Sequence, residues 1–348
     1  RSAVSDTVLP RVIDREQRAL LRREIVVRDH VEPHAAIGQQ ARRDPASCGD
    51  CTGCPACSGP EWRRDLEVVL AVARLAGRLK VDLQAGDLHT SGTANHRLAL
   101  DENSWASMRV ARYKTRPAHA DQLHVELWWR GINLASDPGT YRYTAPAPWQ
   151  NALRASKVHN LLTVDRLDQM QSISRFRWIN WAQADLLEYD RNKLTVAACH
   201  NGYHHKGILH TRTLKGLPDK PGWQITDRVT SDRAVVSPTT LFVHWLLPDL
   251  PYRIDVNSLS LYTSAGTAEL NFSCDKGAQQ QGISVYRAGK QIFGETPIDQ
   301  PLLGWYSDTY NHMVPALSIE FIITTDLPVN IFSDWTLRAE NPHHGQTA

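Results

Sequence analysis

The sequence has no run of about 18 apolar residues that could cross a bilayer as a helix, and its opening residues, RSAVSDTVLPRVIDREQR, lack the apolar core of a signal peptide. Neither sign of charge dominates: 39 Lys and Arg against 37 Asp and Glu leave a net charge of +2, so no bulk field draws the chain to nucleic acid or to an anionic membrane. An acidic ligand would have to be gripped by local arginines. Cysteine is scarce and uneven, with Cys48, Cys51, Cys54 and Cys57 inside ten residues and only Cys199 and Cys274 elsewhere, which excludes a disulfide framework. The later pair reads as small buried hydrophobes. There is no internal repeat of fixed period, which argues against a solenoid or propeller.

What the chain does have is tryptophan, eleven in all, several beside Arg, Asn or Gln, as in Trp128-Trp129-Arg130 and Trp149-Gln150. Such rings suit both core packing and sugar stacking. Residues 1–94 differ in texture from the rest. Helical periodicity in PRVIDREQRALLRREIVVR and EWRRDLEVVLAVARLAGRLK flanks a Gly, Pro and Cys-rich stretch, and a short helical or irregular segment is expected there. The four clustered cysteines resemble an iron-sulfur run but miss the ferredoxin spacing by one residue, so an iron-sulfur centre is not favoured.

Over residues 95–340 the grammar is that of strands. In QLHVELWWRG, Leu123, Val125, Leu127 and Trp129 alternate with polar or amphipathic partners. The same texture recurs at 160–165, 178–189, 207–214, 239–247, 259–264, 268–274, 282–287, 317–325 and 329–335, with Pro, Gly, Asp and Asn between. The expected fold is mainly β, antiparallel sheets packed face to face as a sandwich, with residues 341–348 as a flexible tail.

The densest polar stretch carries RPAHADQLH from Arg116, DPGTYRY from Asp137 with Pro148-Trp149 following, and HNLLTVDRLDQ from His159. These ordered motifs resemble the β-sandwich domain of heparinase II/III-like polysaccharide lyases, a likeness that runs over about residues 95–340. The resemblance implies β-elimination on a uronate-containing acidic polysaccharide. It places the enzyme in the periplasm or outside the cell, and it divides the catalytic groups between this sandwich and a helical toroid that the sequence does not show. Elimination needs a base to remove the proton α to the carboxylate and a group to neutralise that carboxylate.

His159, which opens the H-N motif, is the first catalytic candidate, with Tyr141 and Tyr143 beside it on one face if their segment is extended. Asn160, Arg142, Arg154 and Trp149 are candidates for substrate contact. The resemblance also implies a structural zinc ion held by two His and one Asp, for which His159, Asp185 and His210 are the candidates, with His200 as a substitute. His119, Asp121 and His124 read as a hydrogen-bonded network, with Asp121 pairing Arg116 or His119. A carbohydrate-binding sandwich without catalysis is the alternative, and a cysteine-cluster metalloprotein is a more distant one.

Overall fold

A computed structural model describes residues 94–232, 238–278, 280–295 and 299–339. The expected N-terminal helices, the cysteine cluster and the C-terminal tail lie outside them. Among the described residues twenty strands follow one another: β1 (Ala94–Ala99), β2 (Trp105–Val110), β3 (Val125–Trp129), β4 (Ile132–Ala135), β5 (Leu162–Val164), β6 (Gln171–Ser174), β7 (Arg177–Ile179), β8 (Ala184–Asp190), β9 (Thr195–His200) and β10 (Ile208–Gly216). They continue with β11 (Gly222–Ser231), β12 (Thr239–Pro248), β13 (Tyr252–Asp255), β14 (Ser258–Thr263), β15 (Gly266–Cys274), β16 (Gln280–Arg287), β17 (Lys290–Phe293), β18 (Trp305–Thr309), β19 (His312–Thr325) and β20 (Val329–Ala339).

Every strand pairing among the described residues is antiparallel. An eight-stranded sheet runs β13-β14-β15-β20-β11-β10-β9-β8, and a six-stranded sheet runs β17-β16-β19-β12-β5 with β18 paired to β19. A four-stranded sheet, β1 to β4, and the β6-β7 ribbon complete the unit. The two large sheets face each other. Trp245 of β12 meets Trp335 of β20 edge to face at 5.6 Å, and Phe272 of β15 stacks on Phe321 of β19 at 5.1 Å. The Trp245 indole donates to Ser333 Oγ across the same gap at 3.2 Å. This is the expected β-sandwich.

Alternation drives most of the assembly. β20 buries every second residue from Val329 to Leu337, and β3 does the same from Val125 to Trp129. The sequence 178–189 does not form one strand: Asn180 takes φ +54 and separates β7 from β8. Cys199 and Cys274 are free thiols, half-buried rather than core.

One part of the inner face is polar. His210 and Arg212 of β10 and Asp227 of β11 are all 0% exposed, and His200 of β9 lies beside His210. Arg212 grips Asp227 with two bonds, 2.7 and 2.8 Å, and His210 Nε2 lies 2.6 Å from the same carboxylate. His200 Nδ1 accepts from the Gly202 amide, so its Nε2 carries the proton toward His210 Nδ1 at 3.0 Å, and His210 in turn donates Nε2–H to Asp227. Each tautomer is thus fixed by its neighbours.

Burial holds both imidazoles below their ordinary pKa, and the Arg212 and His210 partners hold the Asp227 carboxyl well below the carboxylate range against the effect of burial. At these three groups the unfolded chain therefore binds more protons at acid pH than the folded one. The histidine contribution to stability is complete above about pH 6.5 and is lost as the pH falls below it; the Asp227 contribution follows below about pH 4. Urea midpoints are expected to fall between about pH 7.5 and about pH 5, and a His200→Gln variant should show a shallower fall. A midpoint independent of pH over that range would contradict the buried neutral pair.

Candidate functional site

Two loops and one turn converge at the edge of the core. The loop between β2 and β3 is held by Gln122, whose amide accepts from the Ala111 N–H and donates to the Ala111 and Ala182 carbonyls. Gln122 and Gln169 exchange backbone and side-chain bonds at 2.8 and 3.0 Å. Ser156 Oγ donates to the Ala120 carbonyl at 2.7 Å, joining that loop to the short 3-10 turn Ser156–Val158. The turn delivers His159. The segment after β4 is strapped down at Gly139, whose φ is +77 and where a Cβ would meet the Ser307 carbonyl oxygen at 2.1 Å.

These pieces bring together His119, Asp121, Asp137 and His159, with one ligand atom from each lying within 4.8 Å of the others. His159 donates Nδ1–H to the Ala155 carbonyl at 2.8 Å, which leaves Nε2 as a lone pair 3.2 Å from His119 Nδ1 and 3.5 Å from Asp137 Oδ2. A second histidine, His124, accepts from the Asn160 amide on Nδ1, so its Nε2–H is buried without a hydrogen-bond partner, 4.0 Å from Asp137 Oδ2. Burial, and then the neighbouring His159, hold His119 and His124 below their ordinary pKa, which keeps both rings neutral near pH 7.

Asp121 is engaged by Arg109 at 2.9 Å and by the Tyr113 hydroxyl at 3.1 Å, and not by Arg116 or His119 as the sequence suggested. Asp137 is the freer carboxylate: its Oδ1 caps the Gly139 amide and its Oδ2 faces the histidines. Two imidazoles and a carboxylate, one ring oriented by a carbonyl behind it, form a donor set that fits a zinc ion.

The zinc set read from the sequence does not assemble. Asp185 pairs across its strand with Cys199, which pairs with Thr211, whereas His210 pairs with His200; Asp185 and His210 therefore stand on opposite faces of the large sheet. Asp185 bonds Arg112 at the surface and His210 is spent on Asp227, so only His159 of that set belongs to the cluster. Asp137 and His119 stand beside His159 instead. The D-P-G and H-A-D motifs were the available signals.

The other candidates divide. His159 is 0% exposed and cannot touch a substrate directly; the cluster reaches solvent through half-buried His119 and Asp137. His119 lines a cleft of about 310 Å³ with Arg116, Asn151, Tyr143 and Phe176. Tyr141 and Tyr143 do not share an extended face, because Tyr141 takes φ +60 and packs on Trp149, while Tyr143 lies against Phe176 and Tyr310, each at 5.4 Å. Trp149 is half-buried between Tyr141 and Trp305.

Arg142 is bonded to Asn311. Arg154 is buried, its guanidinium over Trp178 at 4.3 Å and bonded to Ser172 and Ser174, so it braces the β6-β7 ribbon and does not greet a ligand. Asn160 is 0% exposed with its amide consumed: it accepts from the Leu246 N–H and donates to the Val125 and Ser136 carbonyls. No capacity remains for a substrate.

An antiparallel sandwich with a histidine-carboxylate cluster opening on an aromatic cleft defines the class. The sequence profile described as heparinase II/III-like, C-terminal, matches residues 84–330, and the chain belongs to that family. Its fold is similar to the crystal structure of heparan sulfate lyase HepC from Pedobacter heparinus (TM-score 0.54, 17% identity, 76% of this chain and 37% of that one). It is also similar to a heparinase III, the BT4657 gene product (TM-score 0.53, 15% identity, 72% of this chain and 35% of that one). The chain thus covers little more than a third of either structure. No curated protein sequence matches it.

Asn160→Ala is expected to destabilise the sandwich by about 3 kcal/mol or more, since it strands two buried carbonyls and one amide. Tyr143→Ala at the exposed platform should change stability by about 0.5 kcal/mol or less. Denaturant midpoints compare the two, and equal losses would refute the assigned roles.

Proposed function

We propose that the chain forms the sandwich wall of a polysaccharide lyase that cleaves uronate-containing acidic polysaccharide by β-elimination. The observation that carries this reading is His119, a neutral imidazole that belongs to the buried cluster yet lines the cleft. In the tautomer whose Nδ1 lone pair faces the cluster, as a bound cation would require, Nε2 carries the hydrogen and can donate to one oxygen of the uronate carboxylate. Arg116, exposed on the same wall, adds a positive charge. As the proton α to the carboxylate leaves, charge collects on the carboxylate oxygens, and this pair of donors stabilises it. The electron pair then forms the carbon-carbon double bond while the glycosidic oxygen departs and takes up a proton.

Tyr143, Phe176 and Tyr310, respectively 46%, 39% and 56% exposed, offer rings for the sugar faces on either side of the scissile bond. The base that removes the proton is assigned to the helical toroid that the resemblance implies, and a periplasmic or extracellular location is proposed on the same ground. A zinc ion held by His119, His159 and Asp137 would lock the orientation of the His119 ring and balance the Asp137 charge.

The exposed aromatic platform also suits a carbohydrate-binding sandwich that performs no chemistry. Joined to a heparinase-type helical domain, the chain is expected to generate the ultraviolet absorbance of an unsaturated uronate from heparan-like or alginate-like polymers. His119→Ala should lower kcat by about a hundredfold or more. Binding without that absorbance, in the joined protein, selects the non-catalytic reading, and an unaltered rate in the variant removes His119 from the mechanism. Elemental analysis is expected to find one zinc ion per chain, lost in Asp137→Asn and retained in Asp185→Asn.

A further inference from the structure

One histidine beside the cluster has no part in the chemistry proposed above. His124 ends the loop between β2 and β3, where its carbonyl accepts from the Arg109 N–H at 2.9 Å and its own N–H donates to the Asp121 carbonyl at 3.2 Å. The residue is 5% exposed and meets the His159 ring edge to face at 5.4 Å, and it is not part of the cleft wall. Its backbone and its ring are thus both fixed.

The tautomer of His124 is fixed as well. Its Nδ1 lies 3.0 Å from the Asn160 amide nitrogen, and since a backbone N–H can only donate, Nδ1 is the acceptor and Nε2 carries the ring proton. In this state Nε2 has no lone pair to offer a cation. The same Nε2–H is buried without a hydrogen-bond partner. A buried donor left unmatched is costly, and one aimed at a polar cluster needs a reason. Asp137 Oδ2 stands 4.0 Å away, about 1 Å beyond hydrogen-bond length.

Asp137 is able to close that gap. Its Oδ1 accepts from the Gly139 amide at 2.8 Å, and the adjoining Ser136 N–H donates to the Leu246 carbonyl at 3.0 Å, so the backbone of the segment is held. The side chain itself is 36% exposed and retains freedom to turn. Oδ2, 3.5 Å from His159 Nε2, has room for two partners: a cation shared with His119 and His159 on one side, and the His124 N–H on the other. A hydrogen bond to the ligating oxygen is the means by which outer groups orient a carboxylate toward a metal.

We propose that His124 is a positioning residue of this cation site and not one of its ligands, its Nε2–H being kept for Asp137 Oδ2 and the bond forming when zinc binds. The assignment rests on the zinc site of the preceding section and not on elimination, so it stands even if the chain only binds carbohydrate. Of three neighbouring imidazoles, two supply lone pairs and the third supplies a proton. The Asn160 amide decides which one that is.

Zinc titrations of the whole chain in competition with a chromophoric chelator test the assignment. His124→Asn keeps an acceptor near the Nδ1 position and removes the Nε2–H, whereas His124→Gln places an amide N–H near the Nε2 position. His124→Asn is expected to weaken zinc binding by about tenfold or more, the usual cost of losing an outer partner, and His124→Gln to restore much of that loss. In the unaltered chain with ¹⁵N-labelled histidine, the His124 Nε2–H resonance should persist and move downfield as zinc is added. Undiminished affinity in His124→Asn, equal losses in the two variants, or disappearance of the Nε2–H resonance on zinc addition would each overturn the proposal. The NMR measurement decides the matter if neither variant folds. A wild-type chain that binds no zinc removes the site itself, and the role of His124 with it, whereas zinc bound equally by His124→Asn and wild type removes only the latter.

Discussion

A single buried guanidinium links the sandwich core to the residues around the cleft. Arg212, 0% exposed, is neutralised by Asp227 and spends its remaining donors on the carbonyls of Leu123 and Asn160 at 3.1 and 2.7 Å. Those carbonyls belong to the two irregular segments that deliver His124 and His159. A buried ion pair of this kind adds little net stability over an apolar substitute, because desolvation opposes the attraction, but removing one partner would leave an uncompensated charge and cost about 3–5 kcal/mol. Its value lies in specifying where two loops meet.

From that anchor the order of the cluster follows. Asn160 uses its whole amide to tie β3, the segment after β4 and β12 together, so the backbone on the far side of His159 is fixed. His244 Nδ1 then contacts the His159 carbonyl at 2.9 Å, and its Nε2 contacts Ser318 Oγ. With the backbone pinned on both sides and Nδ1 committed to Ala155, the His159 ring has one nitrogen and one direction left. The cluster is therefore preorganised by groups that never approach the cleft, which is what the proposed charge-stabilising role requires.

The fold was legible because most strands obey a period of two, and β3, β10, β15 and β20 could be found by alternation alone. β11 escaped the reading because its inward positions include Asp227, and a charged residue inside contradicts the pattern unless its partner on the neighbouring strand is known. β12 reads as a continuous apolar run because loops and Arg166 cover its second face. The β6-β7 ribbon was misread for a simpler reason: Asn180 breaks the 178–189 run in the left-handed region, and a short exposed strand such as β6 carries no hydrophobic signal.

The cleft was half legible, and the missing half was geometric. Motif resemblance singled out His159, but three-dimensional convergence of irregular loops chose its companions, and no periodic pattern predicts that convergence. The choice of His210 and Asp185 followed strand logic, yet strand logic itself separates them, since residues whose cross-strand partners are one step apart point to opposite faces. Where the chain leaves the sheets, at His119 and Asp137, polar side chains are free to meet without surrendering a core position. His200, His210 and Asp227 sit at regular strand positions and serve the integrity of the sheet, whereas His119 and Asp137 sit on loops and keep partial exposure, which is why the proposed ligand chemistry falls to them.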